Sequence, residues 1–111
     1  MPKNIDNIIE NFKIKISNLL GNRLKKIILY GSYARGDYDR NSDIDIMILT
    51  DFNQSEIIQY RKKIRELAYD IESENDVFIS PLLRNIDDYN KRINIVPFYH
   101  NVNKEGVVIV G

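Results

Sequence analysis

Cysteine is absent from this 111-residue chain, which rules out disulfides and thiolate metal sites. That absence fits a cytoplasmic protein, the expected compartment. Net charge is absent too: 16 basic and 16 acidic residues cancel, which argues against broad nucleic-acid binding, where a strongly basic face is expected. The uninterrupted apolar stretches are only a few residues long, so no membrane span is expected. The opening Met-Pro-Lys-Asn lacks the apolar core of a secretory signal. There is no repeat, low-complexity tract or linker. The single histidine, His100, has no orienting partner or metal-ligand spacing near it and reads as structural or surface.

What is present fits one small domain over residues 1–111. With 43% hydrophobic and 29% charged residues the composition is neither disordered nor membranous. The chain is long enough for one core and too short for a second lobe. Charge is unevenly spread: six basic residues against two acidic up to Lys26, then six acidic against Arg40 alone from Asp37 to Glu56. A divalent-metal site requires such an acidic cluster; a solvated loop is the plainer alternative.

The acidic stretch contains the most informative string, Gly31-Ser-Tyr-Ala-Arg-Gly-Asp-Tyr-Asp-Arg-Asn-Ser-Asp-Ile-Asp45, in which ten residues separate Gly31-Ser32 from Asp43-Ile-Asp45. Asp43 to Leu49 alternates and is rich in β-branched residues, so it reads as a strand. Side chains two apart on a strand share a face, which projects Asp43 and Asp45 together with Cα atoms roughly 6.6 Å apart. Two carboxylates so placed can share a pair of divalent cations about 3.5–4 Å apart, and oxygen ligands suit Mg²⁺ with Mn²⁺ as a substitute. Lys25 to Tyr30 reads as a preceding strand. Gly31 at its end lets backbone approach a phosphate, Ser32 adds a hydroxyl donor, and a short helix opening at Ser32 favours an anion. Gly36 then supplies a turn, and residues 37–42 are polar loop.

Elsewhere, Ile5, Ile8, Ile9, Phe12, Ile16, Leu19 and Leu20 predict a helix from about Asn4 to Leu20, stopped by Gly21-Asn22. Asn53 and Glu56 form a capping-box pattern ahead of a helix whose apolar face is Ile57, Ile64, Leu67, Ala68 and Ile71. Its opposite face, Arg61, Lys62, Lys63, Arg65 and Glu66, reads as solvated charge, with a partner-docking patch as the alternative. Residues 76–82 read as a third strand, 85–91 as a short helix, Pro97 as the start of a turn or short helix, and 107–110 as a last strand. Phe98 and Tyr99 read as core, with stacking on adenine or a partner surface as alternatives. Tyr33 and Tyr38 flank the glycine loop and read as walls of a pocket.

The Gly-Ser, ten residues, Asp-x-Asp pattern resembles the nucleotidyltransferase superfamily of DNA polymerase β in its smallest form, the minimal nucleotidyltransferases. The resemblance extends to Asp76–Leu82, similar to the family's third core strand, and to Pro97–Gly106, similar to its C-terminal segment. It implies an α/β (α+β) fold with a small mixed β-sheet carrying helices mainly on one face; periodicity supplies only the elements. It also implies transfer of AMP from ATP to an acceptor hydroxyl, with Asp43 and Asp45 holding two Mg²⁺ ions. Gly31, Ser32, Arg35 and Ser42 are the implied nucleotide-binding residues. A third carboxylate, metal ligand and base, belongs on the third strand; Asp76 is the candidate, though one frame of alignment puts Phe78 at that position instead. Because no second lobe holds the acceptor, something else completes the site. Minimal nucleotidyltransferases are commonly paired with a helical HEPN toxin that they silence by adenylylating a tyrosine. The implied role is therefore an antitoxin, with a docking module or a small-molecule transferase as alternatives. The resemblance leaves homo- and hetero-oligomers open.

Overall fold

Two long amphipathic helices set the architecture. The computed structural model describes residues 5–111, so a helix start at Asn4 lies outside the described residues. Helix α1 (Ile5–Leu20) buries Ile5, Ile8, Phe12, Ile16 and Leu20 along one stripe, the i, i+4 recurrence that packs a helix on a sheet. A 3₁₀ turn, Gly21–Arg23, then leads into strand β1 (Leu24–Tyr30) and the one-turn helix α2 (Ser32–Arg35). Strand β2 (Ile44–Thr50) is followed by α3 (Gln54–Asn75) and β3 (Ile79–Asn85). Helices α4 (Ile86–Arg92) and α5 (Pro97–Glu105) and strand β4 (Val107–Val110) complete the chain.

The sheet order is β3-β2-β1-β4, with β1 antiparallel to both β2 and β4 and β2 parallel to β3. The sheet is therefore mixed, and the thirteen-residue connection of β1 to β2 through α2 resolves as an antiparallel pair. Alternation along β2 divides the core. Ile44, Ile46 and Ile48 pack against the stripes of α1 and α3, while Met47 and Leu49 face a smaller cluster of Ile28, Tyr89, Tyr99 and Val102 beneath α4 and α5. The long helices thus share one face, and the short pair partly covers the other.

The start of α3 is held by a full capping box: the Asn53 side chain accepts from Glu56 N–H at 2.9 Å, and the Glu56 carboxylate accepts from Asn53 N–H at 3.1 Å. Arg23 ties that end to β1, donating to Asp51 through Nε and to both Glu56 oxygens at 2.9 Å. These bonds hold the Glu56 carboxyl below its ordinary value.

One predicted element moves. The strand expected at 76–82 begins only at Ile79, because α3 continues to Asn75 and is capped by Asp76 in the left-handed conformation (φ 52°, ψ 48°). Residues 76–78 are the link back to the sheet, anchored where Ile44 N–H donates to the Phe78 carbonyl at 2.8 Å. The Glu72 carboxylate accepts from Ile79 N–H at 2.7 Å, fixing the point where pairing starts.

Candidate active site

The β1–β2 register builds the site. Tyr30 at the end of β1 lies opposite Asp45 near the start of β2, which brings the chain just after β1 against the acidic pair just as β2 begins. Gly31 adopts φ 75° and ψ −155°, a region essentially confined to glycine. A Cβ there would sit 2.2 Å from Asp45 Oδ2, so backbone and carboxylate meet as closely as a glycine permits. Helix α2 closes on the Gly31 carbonyl, which accepts from Ala34 N–H at 3.1 Å and Arg35 N–H at 3.0 Å. The amides that open such a turn have no intrahelical partner.

Two recesses flank the acidic pair. The smaller, about 400 Å³, is lined by Gly31, Ser32, Arg35 and Asp45, with Phe98, Asn101 and Glu105 from α5. The larger, about 760 Å³, is lined by Asp43 and the loop before it, by Tyr33 and Tyr38, and by Asp76 to Phe78. Asp43 immediately precedes β2 and is exposed, while Asp45 is half-buried. Burial first, and the negative charge of Asp43 second, raise the Asp45 carboxyl above its ordinary value, with Arg35 pulling it back. Tyr30 behind it is pushed up to about 12, by burial and then by Asp45.

Four of the seven candidate residues, Gly31, Ser32, Arg35 and Asp45, therefore share one recess, and Asp43 stands at its border with the other. Arg35 donates to Asp37 at 3.2 Å and Glu105 at 3.3 Å, two exposed carboxylates that hold it at the mouth of the smaller recess. Ser42 lies apart from this group. Its hydroxyl accepts from Asp39 N–H at 2.9 Å and its own N–H donates to the Asp39 carbonyl at 3.1 Å, which braces the loop delivering Asp43. Asp76 lines the larger recess as the helix cap described above and does not stand on β3. Among the described residues no three histidine, cysteine, aspartate or glutamate groups converge as a metal cage. The β2–β3 register, Ile44 with Ile79 and Asp45 with Ser80, sets Phe78 level with Asp43.

The α5 contribution was not foreseen, yet it had a signal: Phe98, Asn101 and Glu105 recur at helical spacing after Pro97. Phe98 and Tyr99 divide the roles expected of them. Tyr99 is buried in the smaller core cluster, whereas Phe98 remains 42% exposed, edge-on to Tyr30 at 5.6 Å, in the wall of the Asp45 recess. His100 is exposed on α5.

A donor set of two carboxylates beside backbone amides fits magnesium. Mg²⁺ commonly takes one or two protein carboxylates and draws its other ligands from substrate phosphates and water. The Asp43 charge, which adds to burial in raising Asp45, is of the kind a divalent cation offsets.

Comparison with known proteins shows the family and the fold. The profile of a family described as a nucleotidyltransferase domain matches residues 7–105. Two Methanocaldococcus jannaschii proteins, provisionally named protein adenylyltransferases MJ0141 and MJ0604, are 37% and 38% identical to this chain. The first alignment covers 92% of this chain and 95% of the relative, the second 96% and 98%. Among solved structures, a toxin–antitoxin crystallised with AMP-PNP is 25% identical, with a TM-score of 0.57 over 92% of this chain and 73% of that one. Among the described residues no helix is long and apolar enough to cross a membrane.

Proposed function

Because this chain belongs to the nucleotidyltransferase domain family, we propose that it transfers AMP from ATP to a hydroxyl, a tyrosine, of a HEPN-type toxin and so acts as its antitoxin. The observation that carries this reading is the meeting of the Gly31 backbone, Ser32 and Arg35 with the Asp45 carboxylate in one recess. The names of the two archaeal relatives and the AMP-PNP-bound toxin–antitoxin structure support the donor and the partner class.

In the proposed reaction, Gly31 and Ser32 hold the outer phosphates with backbone and hydroxyl donors, and Arg35 turns from Glu105 to the leaving pyrophosphate. Asp43 and Asp45 would hold two Mg²⁺ ions, whose chemistry is to neutralise the triphosphate and acidify the attacking hydroxyl. Asp76, outside the metal pair but in the recess with Asp43, takes the hydroxyl proton. The acceptor oxygen then bonds to the α-phosphorus as the bond to pyrophosphate breaks.

The test is the intact mass of the protein encoded beside this chain after incubation with ATP and Mg²⁺. An added AMP is expected. A stable complex with no mass gain would replace the transferase with a docking module that silences its partner by occlusion.

The role given to Asp76 has its own check. Asp76→Asn keeps a residue suited to the left-handed cap, so the fold should persist while kcat at neutral pH falls on the order of 10²-fold, the usual worth of a positioned base. The deficit should shrink as pH approaches about 10, where a phenol ionises unaided. Unchanged kcat across that range would reduce Asp76 to a helix cap.

A further inference from the structure

The larger recess holds a combination that phosphate binding does not use. Phe78 is 69% exposed, an unusual state for a phenylalanine, and it stands level with Asp43 across the β2–β3 pair. Facing the same space, Tyr33 and Tyr38 stack at 4.5 Å and 12°. Aromatic walls and two carboxylates, Asp43 and Asp76, therefore line one cavity, separate from the one lined by Gly31, Ser32, Arg35 and Asp45.

We propose that this recess is the acceptor subsite and that Phe78 is a specificity-determining residue selecting a hydroxyl carried on an aromatic ring. The inference rests on the adenylyl-transfer reading. Phosphoryl-group transfer keeps attacking and leaving oxygens roughly in line. With pyrophosphate leaving toward Gly31, Ser32 and Arg35, the acceptor enters from the opposite side, the Asp43 and Phe78 side. A phenol fits both halves of that wall: its ring packs on Phe78 and the tyrosine pair, and its O–H points to the carboxylates. The phenolic oxygen bonds to the α-phosphorus, the pyrophosphate oxygen departs with the electron pair of the broken bond, and the proton passes to Asp76 and on to water. An aliphatic hydroxyl has no ring for these walls.

The experiment compares wild type, Phe78→Ala and Phe78→Tyr with N-acetyltyrosinamide or N-acetylserinamide as acceptor, following pyrophosphate release and measuring ATP affinity separately. The tyrosine amide should be used in preference to the serine amide. Phe78→Ala should raise its KM about tenfold, the size of one lost aromatic contact, with kcat and ATP affinity little changed, and Phe78→Tyr should restore it. A loss of ATP affinity in Phe78→Ala with unchanged acceptor KM would assign the recess to the adenine and overturn the proposal. Equal use of both amides, or an unaffected Phe78→Ala, would overturn it too. A wild type that modifies a partner protein but not the tyrosine amide removes this proposal and leaves adenylyl transfer standing; a wild type that transfers to nothing removes both.

Discussion

Asp45→Asn is expected to lose transfer on the order of 10³-fold or more while melting no lower than the wild type. The loss follows from the proposed metal pair: stabilisation of transition-state charge by a bound cation is worth several kcal/mol, and each 1.36 kcal/mol is about tenfold in rate. The retained stability follows from the carboxyl's environment. Its native value is raised, by burial and then by Asp43, so the folded chain binds this proton more tightly than the unfolded chain. The resulting stabilisation is complete below the ordinary carboxylate pKa and is lost as pH rises through the raised native value. At neutral pH an ionised Asp45 therefore costs stability, and the isosteric amide removes that cost. Thermal melts at pH 7 with and without Mg²⁺ and a non-hydrolysable ATP analogue check both halves. The wild type should gain stability from the pair of ligands and Asp45→Asn should not. A variant that melts well below the wild type would make Asp45 a structural residue, and one that stays active would remove it from the site.

The parts of the molecule legible in the sequence are those governed by neighbours along the chain. The stripe of α1, the Asn53–Glu56 box and the alternation of β2 are local patterns, and all three stand in the structure, β2 with its ends displaced by one residue. The Gly-Ser and Asp-x-Asp pairs were legible for the same reason, since each sits at the end of an apolar strand. Where β3 begins was harder to read. The run Asp76-Val-Phe-Ile-Ser is a good strand by composition, but helix α3 has no glycine or proline to stop it and continues until Asp76 turns left-handed. Asparagine followed by aspartate was the available stop signal. Pro81 inside β3 is tolerated because that strand lies at the sheet edge.

Partners across strands or across the sheet were not legible. That Phe78 and not Asp76 stands level with Asp43 depends on the parallel β2–β3 register, which no local pattern encodes. Tyr99 reads as core in the sequence and is buried, but that it meets Tyr89 and Val102 in a second, smaller cluster depends on how two short helices pack and was not visible beforehand. Phe98, Asn101 and Glu105 reach the site through that packing. The meeting of the glycine loop with the acidic pair was therefore readable, and the far walls of the recess were not.

Gly31→Ala should damage transfer far more than Gly36→Ala. Two glycines of the loop provide a controlled contrast. Gly36, at φ 86°, has nothing within 4 Å of an added Cβ, so alanine there carries only backbone strain, about 1 kcal/mol. Gly31, at φ 75°, carries strain in a region that is nearly glycine-only, roughly 1–3 kcal/mol. Its Cβ would also lie 2.2 Å from Asp45 Oδ2, with Cγ at 3.1 Å. The carboxylate can swing aside, which relieves the collision, but doing so carries it away from the place where Asp43 and the phosphate donors meet. Relief of the clash and loss of the proposed metal ligand are thus the same movement. Urea unfolding should show Gly31→Ala destabilised by about 2 kcal/mol or more and Gly36→Ala by about half as much. Transfer should fall at least ~10²-fold in Gly31→Ala, as expected when a stabilising group leaves its position, and stay within a few-fold in Gly36→Ala. Equal activity in the two variants would show that the close approach of backbone to carboxylate has no part in catalysis. Failure of Gly31→Ala to fold at all would be separated from that outcome by assaying, with Mg²⁺ and ATP, folded Asp45→Asn, which lacks the carboxylate without the clash and should be equally inactive.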